Sequence, residues 1–197
     1  WLQSHLQVQR LILAKEAKGN TIAEIVKMAQ QRRIGIQYEE KSVLDKMVKH
    51  SYHQGVVAKV FLKYAAIGDI FKVADEKKEA PLVALLDNVQ DPHNLGAILR
   101  TADAAGLHGI IIPKDNSVGI TPAVVKASAG AIAHIPVVQV TNLARTIDEL
   151  KEQGFWFYGS EENREKLYTD VDYAGPIGIV MGSEGAGLRR LVREKCD

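Results

Sequence analysis

The chain has 197 residues, enough for one large or two small domains, and its 46% hydrophobic content supports a packed core. No apolar run approaches the roughly 20 residues that cross a bilayer, so a soluble protein without membrane partners is expected. The single Cys196 excludes a disulfide framework or a Cys-based zinc site within the chain. With no charged-apolar-small leader at the start, it points to a reducing, cytoplasmic setting.

Residues 1–7 read as the tail of a helix. Val8 to Ala14 (VQRLILA) reads as a strand, and Thr21 then caps a helix that runs to Gln31. Glu24 completes a capping box there, and Ile22, Ile25, Val26 and Ala29 share one face. A short strand at Ile34 to Tyr38, a helix at Ser42 to Val48 and a strand at Gly55 to Phe61 complete a compact α/β module over residues 1–64. His53, a lone histidine at the entry to that last strand, has no second ligand at metal spacing and reads as structural. The charged, weakly periodic segment 65–80 reads as a linker.

From Leu82 the rhythm becomes regular. VALLDNVQDPHNLGAILRTADAAGLHGIIIP holds two continuous apolar runs one helix length apart. Only strands covered on both faces can be apolar at every position, so this is a parallel β-α-β unit. Further strands are predicted at 136–140, 155–160 and 177–181, with helices from Pro122, from Asn142 and from Leu188. The polar stretch from Ser160 to Tyr173 reads as a surface excursion. Residues 81–197 thus form a five-strand, mainly parallel α/β domain.

The charge is uneven between the two parts. Lys plus Arg outnumber Asp plus Glu by 14 to 9 in residues 1–80 and are outnumbered 11 to 15 in residues 81–197. A basic module joined to an acidic one suits a nucleic-acid-binding part fused to a catalytic part, and it also suits uneven surface decoration.

Two stretches could carry chemistry. Open parallel sheets bind ligands at the carboxyl ends of their strands, where the turn before Asn94 and, one and a half turns on, Arg100 fall. Asn94 is equally a good helix N-cap, and Arg100 could simply pair with Asp103. The second stretch is IGIVMGSEGAGLRR, residues 177–190, in which an apolar strand runs into Gly182, Ser183, Glu184, Gly185, Ala186 and Gly187. Glycines there let the backbone turn sharply and bare its N–H groups to a nucleotide or nucleoside. The spacing G-x-x-G-x-G is neither a phosphate loop nor a dinucleotide fingerprint, which argues against an oxidoreductase. Such a turn can also be purely structural.

Together these residues resemble the SpoU (TrmH-like) class of RNA ribose 2′-O-methyltransferases. An Asn followed six residues later by Arg matches Asn94 and Arg100, and a strand ending in MGSEGxG before a basic helix matches Met181 to Gly187 and Arg189. HQGVVA (His53 to Ala58) is similar to the subgroup with an extra ribosomal-protein-like N-terminal domain, which methylates a guanosine of large-subunit ribosomal RNA. The resemblance implies a trefoil-knotted (SPOUT) catalytic domain and S-adenosylmethionine as methyl donor, with no metal. RNA, most of all ribosomal RNA, is the implied partner, bound by residues 1–64, and the implied assembly is a homodimer. It gives catalytic roles to Arg100, Asn94 and Glu184. The cofactor contacts it implies are Gly182, Ser183, Gly185, Gly187 and Leu188, with Ser160 at a neighbouring strand end. The family's third motif, a strand with a Ser-Leu-Asn segment and a last helix, is expected beyond Asp197. Knot and cofactor pocket are therefore expected to be incomplete within residues 1–197. A tRNA 2′-O-methyltransferase and a catalytically inactive RNA-binding relative remain as alternatives.

Overall fold

A computed structural model describes residues 7–48, 53–61, 63–161 and 167–197. The chain divides into two compact units, Trp1–Lys63 and Tyr64–Asp197. The helix expected over residues 1–7 lies outside the described residues except for Gln7, which opens a strand.

In the first unit, strand β1 (Gln7–Ala14) lies between β2 (Gly35–Glu39), parallel to it, and β3 (Val56–Phe61), antiparallel. Leu11 to Ala14 are all buried because both faces of β1 are covered. Leu11 packs with Ala29, Ile25 and Met28 of α1 (Asn20–Gln31), whereas Ile12 and Ala14 pack with Leu44 of α2 (Lys41–Met47). The capping box expected at Thr21 and Glu24 does not form. Gly19, at φ 123°, occupies the cap position without a side-chain bond, which places Thr21 inside the first turn. His53 is structural: its Nδ1 accepts the Gly55 N–H at 3.0 Å and its Nε2 lies 2.8 Å from Asp45.

The second unit is a five-stranded sheet in the order β6-β5-β4-β8-β7, parallel in every pairing. The strands are β4 (Leu82–Leu86), β5 (Gly109–Pro113), β6 (Val137–Val140), β7 (Trp156–Gly159) and β8 (Ile177–Met181). Val83 and Leu85 share one face with Ile111, Val138, Phe157 and Val180. That face packs against α3 (Ile67–Lys77), α6 (Leu143–Lys151) and α7 (Arg190–Arg193). Ala84 and Leu86, with Ile110, Ile112 and Val137, pack on the opposite side against α4 (Pro92–Ala104) and α5 (Pro122–Ala127). Helices on both faces leave no wet side to the central strands, hence their uninterrupted apolar runs. A Cβ at Gly96 would lie 2.3 Å from that of Ala127, so α4 and α5 can approach this closely only with glycine there.

Residues 65–80 are a structural part of this unit instead of a linker. Ala65 donates its N–H to Val137 O at 2.9 Å, and α3 buries Ile70 and Ala74 against the sheet. Ile67, Ile70, Phe71 and Ala74 recur at helical spacing, a stripe hidden in the sequence by the charges between them. Among the described residues, no helix is long and apolar enough to cross a membrane.

Candidate active site

The strand order fixes where a ligand can enter. From central β4 the chain passes through α4 to β5 on one side, while β8 lies on the other, so the connections leaving β4 and β8 diverge. Such a switch point opens a crevice at the carboxyl ends of the strands. Here it is a cleft of about 630 Å³ lined by Asn88 to Asp91, Asn94, Ala97, Ile98, Gly182, Ser183 and Glu184. Two stretches nearly ninety residues apart in the chain thus form its two walls.

On the first wall, Asp91 caps α4. Its carboxylate accepts the His93 N–H at 3.0 Å, and Pro92 fills the first helical position, where no N–H is needed. Asn94 is therefore not the cap. It sits inside the first turn with its side chain exposed on the cleft.

The second wall is a closed loop. Ser183 and Gly187 exchange backbone hydrogen bonds of 3.1 and 3.0 Å, and a Cβ at Gly182 would fall 2.2 Å from the Gly187 carbonyl carbon. Gly185 and Gly187 have φ of +86° and +65°, which favours glycine, and each has open space where a side chain would stand. Leu188 turns inward and is buried. It precedes α7, which starts at Arg190 and not at Leu188. Ser160 follows β7 and donates its N–H to Val180 O at 2.8 Å, but it is not among the residues lining the cleft.

Arg100 lies in a second depression, of about 910 Å³, with Thr101, Asp103, Ser128 to Ala131 and His134. The two depressions share Ala97, so they adjoin along α4. Asp103 does not pair with Arg100, because its carboxylate lies 3.2 Å from His134 Nδ1. Arg100 is exposed and has no ion-pair partner among the described residues.

Sequence reading missed Asp87. It is fully buried at the end of β4. Its carboxylate accepts the Arg189 backbone N–H at 2.7 Å and Nε at 2.6 Å, and Nη2 lies 2.6 Å away. A lone acid directly after an apolar strand was the available signal, since a buried carboxylate needs a cationic partner.

Solved structures with this fold include the rRNA methyltransferase from Sinorhizobium meliloti (TM-score 0.79, 24% identity, 99% of this chain and 70% of that one). The SpoU methyltransferase AviRb from Streptomyces viridochromogenes, solved in complex with the cofactor AdoMet, is equally similar (TM-score 0.79, 24% identity, 98% and 72%). The fold shared with them is a mainly parallel α/β sheet domain preceded by an N-terminal domain. The chain belongs to the SpoU rRNA methylase family, whose model matches residues 81–197, while a model for RNA 2′-O ribose methyltransferase substrate binding matches residues 1–65. Relatives include YacO of Bacillus subtilis (strain 168), assigned to the TrmH family of tRNA/rRNA methyltransferases. It is 47% identical over 197 residues, covering all of this chain and 79% of that protein. A Staphylococcus aureus (strain COL) protein assigned to the same family is 46% identical over 191 residues, covering 96% of this chain and 77% of that protein.

Proposed function

We propose that the protein methylates a ribose 2′-hydroxyl of RNA with S-adenosylmethionine, and that its substrate is a guanosine of large-subunit ribosomal RNA. The observation that carries this reading is the meeting of Asn94 with the Gly182–Glu184 loop across one cleft at the sheet's switch point.

The donor set fits the cofactor. Gly185 and Gly187 turn at positive φ beside open space, so backbone can come close to an adenosine, and Ser183 and Glu184 add polar groups at the same wall. Bound there, S-adenosylmethionine would supply an electrophilic methyl group on a sulfonium. The chain's own groups would do the rest. A ribose hydroxyl is a poor nucleophile at neutral pH, so a side chain must take its proton as the new bond forms. Of the two acids in the cleft, Asp91 is committed to the helix cap, which leaves Glu184 for that proton. Asn94 would hold the ribose by its side-chain amide. Arg100 presents a planar guanidinium fork, so it would grip the neighbouring phosphate from the adjoining depression.

The test is transfer of a labelled methyl group to ribosomal and transfer RNA transcripts, with the product mapped by its resistance to alkaline cleavage. Label at one guanosine of large-subunit ribosomal RNA is expected. Label confined to tRNA would reassign the substrate, and RNA binding without label would leave an RNA-binding protein.

A further inference from the structure

Both ends of the glycine loop are tied to one residue. The Asp87 backbone N–H donates to Met181 O at 2.7 Å, just before Gly182, and its carboxylate accepts the Arg189 backbone N–H at 2.7 Å, just after Leu188. The other carboxylate oxygen takes Arg189 Nε at 2.6 Å, with Nη2 also at 2.6 Å. Asp87 is also followed at once by Asn88 to Asp91, the opposite wall of the cleft. It therefore sets the spacing between the two walls, although it is wholly buried and not among the residues lining the cleft.

We propose that Asp87 is a positioning residue of the site: it clamps the 182–188 loop to the end of β4 and so holds the backbone groups that receive the methyl donor. This rests on the function proposed above. Three features separate a clamp from an ordinary stabilising ion pair. Both carboxylate oxygens are in use, one of them on a backbone N–H. The bonds span 102 residues and close on the loop itself. Within the loop, the Ser183–Gly187 pair and the close approach at Gly182 close it on itself, so its placement depends on how its ends are held.

Asp87→Asn tests the idea, because an amide has one acceptor oxygen and must turn an NH2 toward one of the Arg189 donors. In the folded variant, S-adenosylmethionine should bind at least tenfold more weakly by calorimetry. Its KM should rise alike, while the KM for RNA stays within twofold. A residue that only stabilised the fold would instead lower the melting temperature and the active fraction, with donor affinity unchanged, and that outcome overturns the proposal. If Asp87→Asn does not fold, Arg189→Gln decides. It keeps the backbone donor but gives up the guanidinium, so donor binding should weaken at least threefold, and unchanged binding overturns the proposal. A full-length wild-type protein that bound no donor would remove the underlying reading and this inference with it. A wild-type protein that binds donor, beside an Asp87→Asn protein that binds it equally well, overturns the inference alone.

Discussion

His134 Nδ1 and Asp103 Oδ2 lie 3.2 Å apart, and this pair removes from Arg100 the one acid its own helix offers at i+3. Arg100 is left exposed beside that pair, in the depression that adjoins the cleft at Ala97. Because no described carboxylate depends on it, Arg100→Ala should leave the melting temperature nearly unchanged, as surface substitutions usually do. If it grips the substrate, methyl transfer should fall by on the order of 10², as when one preorganised donor is lost elsewhere. Arg100→Lys should stay low, because lysine lacks the planar fork. Turnover near normal in a stable Arg100→Ala protein would take Arg100 out of the mechanism.

Gly182→Ala probes the loop. The added Cβ would meet Gly187 C at 2.2 Å, Gly187 O at 2.3 Å and Leu188 N at 2.6 Å. All three are backbone atoms, so no side chain can swing aside. The loop must open, at a cost of about 1–3 kcal/mol if this resembles other overpacked sites. Donor binding should be lost with the melting temperature lowered. By contrast, Gly185→Ala has space for its methyl group and is strained only by its φ of +86°. It should bind donor more tightly than Gly182→Ala, and calorimetry on the two variants orders them.

How much was legible follows from which forces are local. Val83 to Leu86 and Ile110 to Ile112 are apolar at every position, so the buried parallel strands could be read directly and stand within a residue or two of expectation. The meeting of Asn94 with Gly182–Glu184 was also legible, because strand ends in a parallel sheet share one edge. Helix α3 was not, since Asp69, Lys72, Asp75, Glu76 and Lys77 interrupt its apolar stripe. Asp87 stayed hidden because its partner lies 102 residues on. Arg100 was expected at the same strand-end crevice as Asn94, one and a half turns on, yet six residues along a helix is a rise of about 9 Å and a turn to another face, which puts it in the adjoining depression.

His108 carries a stability prediction. It is buried at the amino-terminal ends of β4 and β5, where Nδ1 accepts the Leu82 N–H at 2.9 Å and Nε2 lies 3.1 Å from Glu79. His108→Phe keeps a ring but leaves the Leu82 N–H without an acceptor. Such a loss costs about 1–3 kcal/mol. Denaturant unfolding should show that loss, and an unchanged midpoint would mean that another acceptor takes the N–H.

The basic N-terminal unit should contribute salt-sensitive RNA affinity. Phosphate contacts release counterions, so each contact steepens the fall of affinity with salt. Residues 1–63 hold 11 Lys plus Arg against 5 acids. Deleting residues 1–63, the first compact unit, should weaken RNA binding and flatten its salt slope, measured by filter binding across a salt series. An unchanged slope would make the charge asymmetry decoration.

Cys196 gives a prediction that depends on pH. Burial pushes its thiol up from its ordinary value of 9.0 to about 11. Lys151 opposes that shift, and Asp197, Glu161 and Asp87 add to it. Only the thiolate reacts, so at pH 8 the folded protein should be alkylated by iodoacetamide about a hundredfold more slowly than the unfolded chain. The same shift ties stability to pH. Between about 9 and 11 the unfolded thiol has given up its proton while the folded thiol keeps it, so the folded state binds more protons. Its stability must fall as pH rises through that window and be unaffected by Cys196 below it. Other groups titrate there too, so the comparison is with Cys196→Ala, whose loss of stability over the window should be smaller than that of wild type. Equal slopes, together with fast alkylation at pH 8, would show that the thiol is not held in its neutral form.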